Sequence, residues 1–379
     1  MISILKTMAW SVDPPFHADH VGSLLRPAEL HAARARAKRG EIDKAALRAV
    51  EDKCIREVVA LQESVGLRAV TDGEFRRDYW HIDFLHGFDG VELTRADAAY
   101  YKDANFKNTD EQPPTMVIAG KIRRTKPSML DHFNFLKSVA KATAKFTMPS
   151  PAMLHGRADR DSLKKIYPDI DEFWADLTQA YREEIRDLYE AGCRYLQIDD
   201  TTIAMMGDPT VQDHFRKLGD DPKQNTAMYV KAVNAAIRDV PADMTVCTHT
   251  CRGNFKSTFL ASGGYDFVAD TVFSGLEVDG FFLEYDTERA GGFEPLKFMP
   301  KGKKVVVGLV SSKFPELEKK DDLKRRLDQA ARYVPVENLC LSPQCGFSST
   351  YHGNIMTIDQ QAAKLRLCVE TATEVWGSL

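Results

Sequence analysis

The residues best suited to chemistry in this sequence are His249 and Cys251, in Thr248-His249-Thr250-Cys251 at the end of the apolar run Met244 to Cys247. If that run is a β-strand, alternate side chains leave the same face, so an imidazole and a thiol two residues apart can reach one ion. Two further donors of this chemical kind stand at the ends of later apolar runs: Glu284 in Phe281-Phe282-Leu283-Glu284-Tyr285, and Cys345 in Leu341-Ser342-Pro343-Gln344-Cys345-Gly346. Thiolate, imidazole and carboxylate are the usual ligands of zinc, and four is its usual coordination number. Donors drawn from three separate strand ends, in place of a compact Cys-x-x-Cys knuckle, suit a catalytic more than a structural ion. Each residue alone has a plainer reading: a strand His is commonly a hydrogen-bonded core residue and a buried Cys a small hydrophobe. Cys247 shares the parity of His249 but lies deeper and is assigned to the core. Cys340 has the opposite parity to Cys345 and is expected to face the surrounding helices.

The elements that must position these donors can be read from periodicity. An extended segment at about residue 17 runs into Gly22-Ser23; Asp43 caps a helix whose apolar residues Leu47, Val50, Cys54, Val58, Leu61 and Val65 step by three and four. Strands are expected at about 67, 145, 195, 244, 280, 304 and 339, and helices over 128–144, 171–191, 222–238, 265–272, 316–333 and 358–375. With the first segment this makes eight strands alternating with helices, the pattern of an α/β TIM (β/α)8 barrel, with an inserted loop and hairpin arm (116–124) after the second strand. No Gly-x-Gly-x-x-Gly follows a strand, which disfavours a doubly wound sheet. Residues 1–15 are expected to be a flexible lead and 16–379 a single domain. The stretch 84–112 is polar, rich in aromatics (Tyr100, Tyr101, Phe106) and without period, and reads as a lid-like loop.

In such a barrel the active site lies at the carboxyl ends of the strands. Here those ends carry Ser23, Glu74, Ser150, Asp199, His249 with Cys251, Glu284, Ser311 with Ser312 and Lys313, and Cys345. A core alone does not require acids, His and Cys at one end of successive strands. Glu74 and Asp199 read either as helix caps or as acceptors for a cationic substrate group such as an amine. Arg76 and Arg77 could take a carboxylate or be solvated, and Tyr79 and Trp80 could cover a flat ligand or pack the loop.

Composition narrows the partners. Of 379 residues, 51 are basic and 55 acidic, a formal charge of −4, which gives no electrostatic reason to expect nucleic acid or an anionic membrane. Small molecules are the expected ligands, and a homo-oligomer is compatible with the composition. No apolar run approaches the roughly 18 residues of a bilayer span, and the start lacks a signal-peptide pattern, so a cytoplasmic location is expected. The seven cysteines, an odd number scattered along the chain, argue for reduced thiols over a disulfide framework.

Taken in order, Val21-Gly22-Ser23, Asp72-Gly73-Glu74-Phe75, Gln197-Ile198-Asp199, His249-x-Cys251, Glu284 and Pro343-x-Cys345-Gly346 resemble the zinc barrel of cobalamin-independent methionine synthase, especially its short single-barrel relatives, from about Phe16 to the end of the chain. The resemblance implies zinc held by His249, Cys251, Glu284 and Cys345. It also implies that Glu74 and Asp199 hold the amino group of homocysteine and Ser23 contacts its carboxylate. The implied chemistry is methyl transfer to the homocysteine thiol. Three departures stand out. Nothing here corresponds to the N-terminal barrel of the full-length synthases; the family's pterin-binding aromatic is replaced by Pro149-Ser150-Pro151-Ala152-Met153-Leu154-His155; and its proton-donating His by Ser312-Lys313, which take the catalytic role by position.

The expectation is therefore a zinc-dependent methyltransferase making methionine from homocysteine, with a methylfolate or a simpler methyl donor. A barrel alkyl transferase acting on an epoxide with coenzyme M as thiol is the alternative; coenzyme M has a sulfonate and no amine, so retention of Glu74 and Asp199 weighs against it. A non-catalytic zinc- or ligand-binding barrel is the third reading, separated by metal content and turnover.

Overall fold

The computed structural model describes residues 13–94 and 113–377. Nine strands are present among them: β1 (Ala69–Val70), β2 (Asp89–Thr94), β3 (Thr115–Arg123), β4 (Thr143–Pro149), β5 (Tyr195–Asp200), β6 (Thr245–Thr250), β7 (Gly280–Glu284), β8 (Lys304–Val310) and β9 (Leu339–Pro343). Seven of them form one parallel sheet in the order β1-β4-β5-β6-β7-β8-β9. Strands that follow each other in this order are joined through helices, as parallel pairing requires.

The eighth strand expected near residue 17 is reduced to an extended segment, bridged to β9 between Ala18 and Leu341. Its other flank meets the chain after β1, where Leu24 N–H donates to Gly73 O at 3.1 Å and Thr71 Oγ1 to Gly22 O at 2.6 Å. Both edges of the curled sheet thus touch one stretch of chain, an arrangement consistent with a TIM-like barrel.

Side chains pointing inward stack by the pleat. Phe16, Val21, Ala69, Tyr195, Cys247, Phe282, Val306 and Cys340 form one buried cluster inside the sheet, which places Cys247 in the core as expected. Cys340, expected to face the helices, lies in the same cluster. Cys345 lies in the turn beyond Pro343, the last residue of β9, where strand alternation no longer holds, so its parity does not carry back to Cys340. The interior also holds a buried ion pair: Lys145 Nζ lies 3.1 Å from Asp19 Oδ1 and donates to His20 O at 2.6 Å, while Tyr195 Oη donates to Asp19 Oδ2 at 2.7 Å.

Outside the sheet, helices sit close to their expected spans. Asp43 caps Lys44–Ser64 by accepting Ala46 N–H at 2.8 Å. Helix Ile170–Glu190 buries Trp174, Leu177, Tyr181, Ile185 and Leu188. Pro222–Ile237, Ala269–Gly275, Lys320–Ala330 and Ile358–Trp376 continue the alternation. The expected loop at 84–112 is structured at its start: Ile82–Leu85 is helical, and β2 pairs antiparallel with β3, putting Val91, Met116, Ile118 and Ile122 into the core. Tyr100, Tyr101 and Phe106 fall outside the described residues. Among the described residues, no helix is long and apolar enough to cross a membrane.

Candidate metal centre

His249 points inward from β6 and is the register partner of Asp199 on β5. Its Nδ1 lies 3.0 Å from Asp199 Oδ1, which also accepts Gln197 Nε2 at 2.6 Å. A carboxylate on one imidazole nitrogen fixes the ring, the usual support of a metal-binding His; the other nitrogen, Nε2, lies 3.4 Å from Gln344 O. Cys251 lies just past the end of β6. Cys345 comes from the turn after β9, anchored where Gln344 N–H donates to Val310 O at 2.8 Å. The two sulfurs are 3.6 Å apart, and the ligating atoms of His249, Cys251 and Cys345 all lie within 4.8 Å of one another, with all three residues buried. The same turn packs against Ser23, where position 346 is glycine: a Cβ there would stand 1.9 Å from Ser23 Oγ and 3.0 Å from Ser23 Cβ.

These groups shift one another. The Cys345 thiol is held well below its ordinary range by the hydrogen bond from Cys251 and by His249, against the effect of burial, whereas Cys251, donating that bond and buried, is pushed well above. Burial pulls His249 down, but Asp199 and Cys345 outweigh it and raise the imidazole to about 10. The cluster thus favours negative charge on one of the two sulfurs, that of Cys345, the state in which cysteine binds a metal.

Glu284, the fourth expected ligand, is at the end of β7 but not within this group. Its Oε2 accepts Arg252 N–H at 2.6 Å and lies 3.4 Å from Arg252 Nη1; its Oε1 pairs with Arg289 and lies 3.7 Å from Lys313 Nζ. Burial would raise this carboxyl; Lys313, Arg252 and Arg289 overcome it and hold it at about 2. Ser312 and Lys313 follow β8 as expected, but both are buried, and neither lines the cleft above the donor trio. Ser312 presents its carbonyl to Asn354 Nδ2 at 2.7 Å.

That cleft, about 350 Å³, is lined by Ser23, Glu74, Trp80, Asp199, Asp200, Thr201, Asn254 and Ser349 together with His249, Cys251 and Cys345. Ser23, Glu74 and Asp199 therefore meet the trio in one place. Glu74 sits in a left-handed turn (φ 60°) after Gly73 (φ 66°). Asp72 Oδ1 accepts its N–H at 2.9 Å, and buried Arg26 binds its carbonyl at 2.8 Å and that of Arg77 at 2.7 Å. Its Oε1 accepts Thr147 Oγ1 at 2.7 Å and lies 3.5 Å from Arg77 Nη1, while its buried Oε2 has no hydrogen-bond partner. Burial, with Asp199 nearby, raises the Glu74 carboxyl to about 7 despite Arg77.

Arg76 and Arg77 serve neither as solvated charges nor as cleft-lining cations. Arg76 is buried against Glu51 and Asp52 on the helix side, and Arg77 donates to Thr147 O at 2.6 Å. Thr147, Asp200, Asn254 and Ser349 were not singled out as site residues by the sequence. Asp200 follows Asp199 at a strand end, a usable signal; Thr147 is an ordinary strand residue, and only the fold brings it to Glu74.

Residues 16–374 match the family model described as the cobalamin-independent synthase catalytic domain. The chain is 46% identical over 365 residues to the uncharacterized protein YxjH of Bacillus subtilis, covering 96% of this chain and 95% of that one. It is 25% identical over 334 residues to a methionine synthase of Saccharolobus solfataricus, covering 86% of each. A crystal structure from Listeria monocytogenes, described as a candidate vitamin-B12-independent methionine synthase, superposes with a TM-score of 0.76 at 38% identity, covering 96% of this chain and 99% of that one. The chain thus belongs to the cobalamin-independent synthase family, matching its catalytic domain over nearly its whole length.

Proposed function

We propose that the protein is a zinc-dependent S-methyltransferase that methylates the thiol of homocysteine to give methionine, from a methylfolate or a simpler methylated donor. The observation that carries this reading is the convergence, in one cleft, of a His/Cys/Cys donor set with carboxylates suited to an ammonium group. The donor set fits zinc in its chemistry: two sulfurs 3.6 Å apart and an imidazole supported by a carboxylate at 3.0 Å, all buried. His249, Cys251 and Cys345 would hold the ion, with Glu284 as a fourth ligand only on leaving Arg252 and Arg289. When bound, zinc supplies the Lewis acidity that makes a thiol with a pKa of about 8.5 available as thiolate at neutral pH.

The chain's own residues orient the amino acid. Glu74, with its unpartnered buried Oε2, accepts the substrate ammonium; a charge-assisted hydrogen bond there meets a carboxylate already stripped of water. Ser23 contacts the substrate carboxylate, and Asp199 holds the His249 ring while adding negative charge to the amine subsite. Lys313 acts through the Glu284 cluster, its Nζ 3.7 Å from Glu284 Oε1, and Ser312 through the loop it shares with Asn354. Coenzyme M fits less well, because the described residues lining the cleft include three carboxylates and no lysine or arginine for a sulfonate.

Titration calorimetry of the zinc-loaded protein with homocysteine and with coenzyme M tests this reading. Homocysteine binding with methionine formation on adding a methyl donor is expected. Coenzyme M binding with no response to homocysteine contradicts it, and homocysteine binding without turnover of any donor returns the non-catalytic barrel.

A further inference from the structure

We infer that the methyl donor is a small onium compound, a sulfonium or quaternary ammonium whose methyl leaves behind a neutral thioether or tertiary amine. This rests on the proposed homocysteine reading and concerns only the other half of the reaction. The first observation is charge. The cleft wall carries Glu74, Asp199 and Asp200, and among its described lining residues there is no lysine or arginine. Arginines stand behind the lining residues: Arg26 Nη2 donates to Glu74 O at 2.8 Å, Arg77 Nη1 lies 3.5 Å from Glu74 Oε1, and Arg157, whose charge also acts on Asp200, has Nη2 3.2 Å from Thr201 Oγ1. The homocysteine ammonium accounts for Glu74, and His249 takes one oxygen of Asp199. Asp200 is left: a buried carboxylate held by the Ser150 hydroxyl and by Ile203 N–H at 2.8 Å, facing a cleft where neither the donor trio nor the amino acid employs it. A second cation answers that charge, and Trp80 lines the same cleft, an aromatic residue of the type that binds onium groups. A donor with a carboxylate-rich tail meets the opposite field.

The second observation is proton supply. Transfer of a methyl group from a neutral amine of the methylfolate type requires the leaving nitrogen to be protonated. The chain's candidate for that task, Lys313, is 2% exposed, stands 3.7 Å from Glu284 and does not line the cleft. An onium donor needs no such proton. The homocysteine thiolate contributes the electron pair that forms the S–CH3 bond; the donor's C–S or C–N bond breaks, and its pair stays on the departing atom, which becomes neutral. Charge and atoms balance with no further reactant.

The test uses the full chain loaded with zinc and saturating homocysteine, comparing S-methylmethionine, dimethylsulfoniopropionate and glycine betaine with 5-methyltetrahydrofolate as mono- and triglutamate. The inference expects methionine from at least one onium, with kcat/KM at least about tenfold above either folate; the sulfonium and betaine arms identify the onium. Asp200→Asn, which keeps an acceptor for Ile203 N–H, is expected to lower kcat/KM for the onium tenfold or more while the KM for homocysteine moves less than twofold. Trp80→Leu provides a second variant, should Asp200→Asn fold poorly, with the same split. Folate turnover without onium turnover overturns the inference and leaves the homocysteine reading standing; homocysteine binding with turnover of no donor overturns the inference and returns the non-catalytic barrel. Absence of homocysteine binding overturns both.

Discussion

Glu284 Oε2 accepts the backbone N–H of Arg252 at 2.6 Å, one residue after Cys251, so the carboxylate that the family resemblance makes a metal ligand is tied to the loop carrying another ligand. Arg252 and Glu284 are fully buried, and Arg289 and Lys313 complete a charged cluster around the same carboxylate. Removing one partner of such a cluster leaves the others buried without compensation. Glu284→Gln is therefore expected to destabilise the fold by about 2–4 kcal/mol, read by urea unfolding, while the purified variant still carries more than half an equivalent of zinc. Full loss of zinc with unchanged unfolding would instead make Glu284 a resident ligand.

Asp199 supports the ring of His249 across the β5/β6 ladder at 3.0 Å. Asp199→Asn leaves the ligand set intact but removes the charge that holds the imidazole, and is expected to weaken zinc binding about 10- to 100-fold in competition with a chelator. An affinity equal to that of the parent protein would show that His249 does not bind the ion.

Glu74 makes the amine subsite sensitive to pH. Its folded pKa, raised to about 7 chiefly by burial, lies above the unfolded value of about 4.3. The stabilisation associated with its protonated form is thus fully present below about pH 4 and lost as pH rises through 7. Relative to the parent, Glu74→Gln should gain up to about 3 kcal/mol of stability between pH 5 and pH 8, measured by urea unfolding at both. Binding moves the other way: methionine, which has the amine but no free thiol, should bind the parent more tightly at pH 8 than at pH 6, and Glu74→Gln should lose that dependence.

Lys145 and Asp19 pair inside the sheet with both side chains fully buried. Lys145→Met alone is expected to cost about 3–5 kcal/mol, because Asp19 is left charged in the interior, whereas adding Asp19→Asn should recover most of the loss. Equal unfolding midpoints for the single and double variants would contradict this.

The sequence was informative where one periodicity ran uninterrupted. Strands β5 to β9 and helix Ile170–Glu190 fall within a residue or two of the periodicity reading, and His249 with Cys251 followed from alternation along β6. It was less informative where the backbone departs from regularity: the parity of Cys340 was counted from Cys345, which lies beyond the end of β9 at Pro343. The helices Pro151–Arg157, Arg160–Ile166 and Pro209–Lys217 are too short to show a period. Their caps Ser150, Asp159 and Asp208, two of them followed by proline, are a signal that could have found them. Partners distant in sequence, such as Arg252 for Glu284 or Thr147 for Glu74, belong to the fold and have no local signature.

X-ray absorption at the zinc edge of the purified protein, with and without homocysteine, tests the central claim most directly. Two sulfur neighbours from Cys251 and Cys345 with nitrogen from His249, rising to three sulfurs when homocysteine is added, is the predicted result. A zinc shell that homocysteine leaves unchanged, or one with no sulfur, would contradict the assignment of these residues to thiol activation.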